Sequence, residues 1–166
     1  MTDLTPLLPR AEALLTLLRG KGLMVATAES CTGGLIAGTL TAIAGSSDVV
    51  ERGFITYSNE AKSESIGVPG ELVETHGAVS EPVARAMAEG ALGHSRAQIA
   101  VAVTGVAGPG GGSVEKPVGL VHLAAAREGF PTVHLERRYG DLGRTGIRLA
   151  TVEDALALIE RIASEG

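Results

Sequence analysis

The sequence predicts a three-layer α/β/α sandwich with a mixed sheet, and three observations support this fold class. Apolar or β-branched runs alternate with amphipathic segments along most of the chain. The continuous apolar run Ile99 to Val103 is flanked by loop residues and favours a central strand buried on both faces. Two further strand-like runs, 118–126 and 132–138, are joined by Glu128-Gly129-Phe130-Pro131, which is typical of a hairpin. We expect residues 1–166 to form a single domain.

The N-terminal half predicts helices and strands in alternation. Leucine and alanine recur at helical spacing between Leu4 and Arg19, and Gly20 is expected to end this helix. The apolar run Leu23 to Ala26 favours a short buried strand, and Leu35 to Leu40 favours the first turns of a second helix. The alternating, β-branched segment Arg52 to Tyr57 favours a second strand.

Helices dominate the remaining predicted elements. Ser58 is placed to cap a short helix through Ser65, which Gly67 and Pro69 close, and another short helix is expected over 69–75. Ser80 precedes Glu81-Pro82, where proline suits the first helical position, so a longer helix is expected to about Gly93. The last helix is predicted over Arg144 to Ala163, because its aliphatic residues form one stripe.

Composition limits the function classes. The 166 residues include one cysteine, which excludes an internal disulfide and fits a reducing compartment. The net charge is −5, no basic patch is visible, and aromatic residues are scarce, so we expect no nucleic-acid partner. No apolar run reaches about 18 residues, and residues 1–8 lack the basic region of a secretory signal. We therefore expect a cytoplasmic protein with no membrane partner.

The polar, small-residue segment Thr27 to Leu35 lies at a predicted strand-to-helix turn, where open α/β sheets place ligand sites. A helix N-terminus offers free N–H groups that suit an anion or a developing oxyanion. Ser30 supplies a hydroxyl there that is able to act as a nucleophile, and its alternative role is that of a helix N-cap. Cys31 is a rival nucleophile, since a helix N-terminus lowers a thiol pKa, or it is simply buried.

The glycine-rich segment 104–112 is expected to form a loop against a ligand. It lacks the Gly-Lys-Ser/Thr ending of a Walker P-loop, and a strand rather than a helix follows it, so we reject both nucleotide fingerprints. A backbone nest for a monophosphate or a ring edge fits the segment. Arg144 and Arg148 share one face of the last helix, and the arginine fork suits a phosphate.

Five stretches carry a resemblance when they are taken together and in order. They are Thr27 to Gly34, Gly53 to Lys62, Gly77 to Ser80, Val103 to Pro109 followed by Lys116 to Gly119, and Gly140-Asp141 with Arg144 and Arg148. In this order they resemble the CinA C-terminal domain family, whose characterised enzymes are nicotinamide mononucleotide deamidases. The similarity spans about Leu4 to Ile162, and it implies the stand-alone form of this domain.

The resemblance implies a Ser-Lys dyad, with Ser30 as the nucleophile and Lys62 as its base, and a functional role for Tyr57. Of the four histidines, none has a distinctive setting, and His122 and His134 are expected to be ordinary residues on a sheet face. The residues expected to bind substrate are Thr32, Gly33, Gly34, Thr104, Gly105, Gly108 and Arg144.

Several of these roles have structural alternatives. Lys62 must lose most of its affinity for a proton to act as a base, and its alternative is a solvated lysine on a helix. Tyr57 either orients the lysine or substrate or packs at a sheet edge. The Thr104 hydroxyl either faces the cleft or bonds at a strand end. Asp141 either contacts substrate or caps the last helix, and Glu29 either bonds neighbouring groups or binds a ribose hydroxyl.

The implied function is hydrolysis of nicotinamide mononucleotide to nicotinic acid mononucleotide and ammonia. We expect no cofactor and no metal, a pyridine mononucleotide as the small-molecule substrate, and assembly into a homo-oligomer. Two other functions stay open. One is a non-enzymatic module that binds a pyridine nucleotide or a competence-related protein, and the other is a serine hydrolase with a different amide or ester substrate.

Overall fold

The computed structural model of the chain describes residues 2–166, and it contains six α-helices and five strands within that range. In chain order they are α1 (Leu8–Lys21), β1 (Val25–Glu29), α2 (Leu35–Thr41), β2 (Val50–Ile55), α3 (Asn59–Ile66), α4 (Gly70–His76), α5 (Glu81–Gly93), β3 (Ile99–Gly105), β4 (Leu120–Arg127), β5 (Val133–Arg138) and α6 (Gly143–Ala163). Two 3-10 turns, Thr5–Leu7 and Ser46–Asp48, precede α1 and β2.

The five strands form one mixed sheet in the order β2-β1-β3-β4-β5. Strands β2, β1 and β3 are parallel, so their carboxyl ends meet at one edge. Strands β3, β4 and β5 are joined antiparallel, and the expected hairpin connects the last two. The predicted mixed sheet and the hairpin are therefore confirmed.

Helices cover both faces of the sheet, which confirms the three-layer sandwich. The large side chains of β3, Ile99, Val101 and Val103, pack into a cluster with α1, α2 and α6. The alternate residues Ala100 and Ala102 belong to a second cluster with α3 and α5. Because a strand alternates its side chains between faces, this pattern of large and small residues buries β3 on both sides.

The first helix and the first strand both run further than predicted. Helix α1 passes through Gly20 and ends at Lys21, and Gly22 follows it with the left-handed φ of +66° typical of a glycine after a helix. Strand β1 starts later than predicted, at Val25, and continues through Thr27 to Glu29, which were predicted to lie in the turn. All five residues of β1 are buried, and each pairs with β3, so pairing on both sides overrides their small size and polarity.

The cap predictions have mixed outcomes. Ser58 caps α3, since its hydroxyl accepts a hydrogen bond from the Ala61 N–H at 3.0 Å. Helix α5 begins after Ser80 as expected, but the Ser80 hydroxyl donates to the Gly77 carbonyl instead of capping the helix. The prediction that Asp141 caps α6 is wrong, because Leu142 holds the N-cap position without a side-chain hydrogen bond. Across residues 2–166, no helix combines the length and apolar character needed to span a membrane.

Candidate active site

Ser30 follows β1 directly and lies at the edge where the parallel strands end. Its N–H donates to the Val103 carbonyl at 3.1 Å, which extends the β1–β3 pairing by one residue. On the other side of β1, the Thr56 N–H donates to the Glu29 carbonyl at 2.9 Å. Ser30 and the residues after β2 are therefore held side by side by the sheet itself.

The Glu29 carboxylate holds the N-terminus of α2. It is 1% exposed and accepts hydrogen bonds from the Thr32 hydroxyl (2.6 Å) and from the N–H groups of Ile36 (2.8 Å) and Ala37 (3.0 Å). Gly34 occupies the N-cap position. The Glu29 side chain therefore caps α2, which was the alternative role predicted for Ser30. The Ser30 hydroxyl has a different partner.

That partner is Lys62. Its Nζ lies 3.0 Å from the Ser30 Oγ and donates to the Thr56 carbonyl at 2.7 Å. The Ser58 cap fixes the start of α3, which places Lys62 four positions later and turned inward. Lys62 is only 1% exposed, so the alternative of a solvated lysine is wrong.

Burial lowers the pKa of Lys62 below its usual 10.5, because the charged ammonium loses its hydration inside the protein. Among residues 2–166, no carboxylate lies within salt-bridge distance of its Nζ to offset that loss. The site therefore shifts Lys62 toward the neutral amine, which is the form that accepts a proton.

The serine and the lysine open into a cavity of about 310 Å³. Its lining residues come from the ends of β1, β2 and β3 and the segments that follow them, from α3, from the loop after α4 and from the start of α6. They are Ser30, Cys31, Tyr57, Asn59, Lys62, Ala78, Val79, Thr104, Gly105, Val106, Ala107, Gly108, Gly110, Gly111 and Arg144. The structure thus brings together the predicted dyad, Tyr57, Thr104, two of the predicted glycines and Arg144.

Three polar residues shape the rim of this cavity. Arg144 donates to the Gly108 carbonyl at 2.8 Å and to the Tyr57 hydroxyl at 3.2 Å. Tyr57 is 63% exposed, so it does not pack at the sheet edge, and its ring stands free at the cavity. Thr104 lines the cavity, but its hydroxyl donates to the Ala78 carbonyl at 2.9 Å, which ties the loop after α4 to β3.

Three of the residues predicted to bind substrate do not line the cavity. Thr32 is fully buried, with its hydroxyl on Glu29. Gly33 and Gly34 have φ values of +57° and +107°, a backbone region that favours glycine, and they form the tight turn between Ser30 and α2. Arg148 donates to the carbonyls of Cys31 and Thr32, both at 3.1 Å.

Cys31 is a poor nucleophile in this setting. Its side chain is buried, and burial raises the pKa of the thiol to about 12. The expectation that the helix N-terminus lowers this pKa is wrong, because α2 begins four residues later and Glu29 already accepts the hydrogen bonds of its first N–H groups. The thiol stays protonated at neutral pH.

The family model described as "CinA C-terminal domain" matches residues 8–163. The chain belongs to the CinA C-terminal domain family. The match runs from α1 to the end of α6, so it includes every residue of the cavity described above. The resemblance inferred from the five ordered stretches is therefore confirmed.

Curated relatives from this family differ in length. The "CinA-like protein" of Syntrophobacter fumaroxidans is 50% identical over 148 residues, which are 89% of this chain and 34% of that protein. The chain spans about a third of the length of such CinA relatives. The "Nicotinamide-nucleotide amidohydrolase PncC" of Escherichia coli K12 is 56% identical over 126 residues, which are 76% of each protein.

Solved structures of the CinA family share this fold. The "competence/damage inducible protein CihA" from Agrobacterium tumefaciens has a TM-score of 0.91 at 60% identity and covers 93% of both chains. A CinA superfamily protein from Escherichia coli has a TM-score of 0.87 at 32% identity, over 92% of this chain and 88% of that one.

Sequence reasoning missed two contributors to this CinA-family site. The Thr56 carbonyl is one, and a backbone group of that kind has no sequence signal. Asn59 is the other, and it lines the cavity three residues before Lys62, a spacing that places the two residues on one face of α3.

Proposed function

We propose that this chain hydrolyses the carboxamide of nicotinamide mononucleotide, giving nicotinic acid mononucleotide and ammonia, through Ser30 and Lys62. The single observation that carries the proposal is the buried Lys62 amine 3.0 Å from the Ser30 Oγ at the wall of an open cavity. The name of the PncC relative supports the class of reaction and the substrate.

Hydrogen-bond counting is consistent with Lys62 as the base. A neutral amine has two N–H donors and one lone pair, whereas an ammonium has three donors and no acceptor. The two oxygens within hydrogen-bond distance of the Lys62 Nζ are those of the Thr56 carbonyl and the Ser30 hydroxyl. A neutral Lys62 donates to the Thr56 carbonyl and accepts the Ser30 proton through its lone pair, which leaves one N–H for substrate.

Acylation then follows from this geometry. As the Ser30 Oγ attacks the carboxamide carbon, its proton passes to the Lys62 amine, and the carbonyl oxygen becomes an oxyanion. The tetrahedral intermediate collapses with cleavage of the C–N bond, and Lys62 returns the proton to the leaving nitrogen, which departs as ammonia. A cationic pyridinium ring assists both events, because it withdraws electrons from the carboxamide and disfavours a charged Lys62 nearby.

Deacylation repeats the same proton transfers with water as the nucleophile. Water attacks the ester carbon, Lys62 takes a proton from that water, and the C–O bond to Ser30 breaks as the proton returns to the serine. The net reaction consumes one amide and one water and yields one carboxylic acid and one ammonia. The base is used twice and regenerated, so the chain needs no further proton donor.

The remaining cavity residues are proposed to hold the substrate. The N–H of Cys31 is the candidate oxyanion donor, because it follows the nucleophile and, among residues 2–166, donates to no oxygen. The exposed ring of Tyr57 offers a surface for the pyridine. Arg144 and the backbone of Gly105 and Gly108 are placed to receive the phosphate.

Ammonia release from nicotinamide mononucleotide tests the proposal, measured with wild type and with Ser30→Ala. The matched control is Ser47→Ala, since Ser47 is exposed and lies away from the cavity. We expect release with wild type and the control, and none with Ser30→Ala. Folded wild type that releases no ammonia contradicts the proposal. Tight binding of the nucleotide without turnover then favours the non-enzymatic module, and hydrolysis of other amides or esters favours a different substrate.

A further inference from the structure

Arg148 is a charged residue for which the proposed chemistry has no role. It belongs to the first turns of α6, four residues after Arg144, and reaches the turn that carries Ser30. Its Nε donates to the Cys31 carbonyl and its Nη2 to the Thr32 carbonyl, both at 3.1 Å. Both of these nitrogens therefore donate to backbone carbonyls, and the Arg148 side chain does not line the cavity.

The turn is built to receive this guanidinium. A Cβ on Gly33 would lie 3.4 Å from the Arg148 Nη2, and the φ of +57° at Gly33 is one that other residues rarely adopt. The opposite side of the turn is held by the Glu29 carboxylate through the Thr32 hydroxyl. Thr32 is therefore fixed from two sides, by an anion from β1 and a cation from α6.

A chain of hydrogen bonds leads from Arg148 to the N–H beside the nucleophile. Arg148 donates to the Thr32 carbonyl, and the N–H at the other end of that peptide unit belongs to Gly33. The Gly33 N–H donates to the Ser30 carbonyl at 3.1 Å, and the N–H at the other end of that second peptide unit belongs to Cys31. In a trans peptide the C=O and the N–H point in opposite directions, so each hydrogen bond orients the next unit.

We propose that Arg148 is a positioning residue that orients and polarises the Cys31 N–H for the oxyanion, without contacting substrate. All bonds in the chain run in one donor-to-acceptor direction, from the guanidinium to the Cys31 N–H. Hydrogen bonds aligned in this way strengthen one another, and a cation at the head of the chain draws electron density away from its last N–H. This inference rests on the proposed function, because it assigns the oxyanion donor of that reaction.

The test compares Arg148→Met and Arg148→Lys with Arg161→Met as the control. Arg161 is exposed near the other end of α6, so its variant removes the same charge from the same helix. For Arg148→Met we expect kcat to fall by about 10- to 100-fold, somewhat less than the loss of a whole oxyanion donor, while KM changes by less than about threefold. Arg148→Lys should recover only part of kcat, because lysine keeps the positive charge but its ammonium lacks the fork that serves two carbonyls.

A serine-reactive phosphonate probe provides a measurement that does not depend on the substrate. Phosphonylation of Ser30 also develops charge on an oxygen, so the labelling rate should fall with kcat in Arg148→Met and stay unchanged in Arg161→Met. If wild type labels readily but releases no ammonia from nicotinamide mononucleotide, the proposed function fails, and the labelling rates still decide the role of Arg148.

Two results would overturn the inference. Unchanged kcat and labelling in Arg148→Met would make the residue purely structural, and a raised KM with unchanged kcat would make it a substrate ligand. If Arg148→Met does not fold, Arg148→Lys decides alone. A wild-type kcat and labelling rate in that variant would contradict the need for a forked donor, and a reduced kcat with unchanged KM would support it.

Discussion

Replacing Lys62 by methionine is expected to change how the stability of the protein depends on pH. Methionine has a similar length but no proton to exchange, so the variant reports what the buried amine contributes. Burial lowers the pKa of Lys62 in the folded state, whereas the unfolded chain restores its usual value of 10.5. Between those two pKa values the unfolded state binds more protons than the folded state.

The sign and the slope follow from that difference. Because the unfolded state binds the extra proton, the free energy of unfolding of wild type rises with pH relative to Lys62→Met. The rise approaches about 1.4 kcal/mol per pH unit inside the window between the folded-state pKa and 10.5. This gain in the free energy of unfolding is complete above pH 10.5, and it is lost as the pH falls through the folded-state pKa of Lys62.

Urea unfolding of both proteins at closely spaced pH values from 7 to 10 measures this difference. Other titrating groups cancel, since both proteins share them. The matched control is Lys21→Met, because Lys21 is exposed on α1 and its variant removes the same charged group without altering the buried site. A difference between wild type and Lys62→Met that stays flat over this range would show that Lys62 titrates as a free lysine, and the neutral base would then be refuted.

Three further predictions concern other parts of the molecule. Cys31→Ala should keep kcat within about threefold of wild type in the ammonia assay, because the buried thiol stays protonated; loss of turnover would restore Cys31 as a nucleophile candidate. Gly90→Ala should lower the free energy of unfolding by about 1–3 kcal/mol or more, since its Cβ would lie 1.9 Å from a carbonyl oxygen of α3. Gly93→Ala on the same helix has open space, and a loss as large as that of Gly90→Ala would contradict the packing argument. The third prediction concerns His122 and His134, whose stacked rings lie 5.1 Å apart. As the pH falls below about 6.5, the free energy of unfolding of wild type should fall relative to that of the double glutamine variant, as measured by urea unfolding. Equal pH profiles for the two proteins would refute this prediction.

The sign for the histidine pair comes from burial. The pKa values of both rings are lowered, first by desolvation, so the unfolded chain binds protons that the folded protein resists. The carboxylates of Glu81 and Glu136 oppose this shift, while Lys116 and Arg85 add to it. The stability of this region is therefore fully present above the usual histidine pKa and is lost on acidification.

Periodicity predicted most of the helices and strands because the spacing of apolar residues within each of them matches the structure that it forms. Helix α6 carries a continuous apolar stripe, and β3 is an uninterrupted apolar run, so both were placed within two residues of their observed ends. Strand β1 was placed too early, since the buried Thr27 and Glu29 look like turn residues in the sequence. Only pairing with β2 and β3 on both sides makes them part of a strand.

The contact between Ser30 and Lys62 could not be predicted from local sequence patterns. Ser30 and Lys62 are 32 residues apart, and no local spacing rule relates them. Their contact depends on β1 and β2 being parallel neighbours, which brings the Ser30 turn beside the start of α3. The resemblance supplied the pairing. The burial of Lys62 is known only from the structure, because sequence alone favours a solvated lysine on a helix that also carries Glu60 and Glu64.

The four glycines predicted to bind substrate fall into two groups for a physical reason. Gly105 and Gly108 line the cavity, whereas Gly33 and Gly34 serve the turn behind the nucleophile. A glycine needed for a left-handed backbone and a glycine needed for ligand approach look alike in a sequence. The role of Arg148 was hidden in the same way, since its partners are backbone carbonyls.

The most direct test of the central claim is to trap the covalent intermediate on the enzyme. Wild type mixed with nicotinamide mononucleotide is quenched in acid within milliseconds, digested and mapped by mass spectrometry. We predict an ester of nicotinic acid mononucleotide on the peptide that contains Ser30, and on no peptide of Ser30→Ala. A nucleotide adduct on Cys31, or turnover by folded Ser30→Ala, would contradict nucleophilic attack by Ser30.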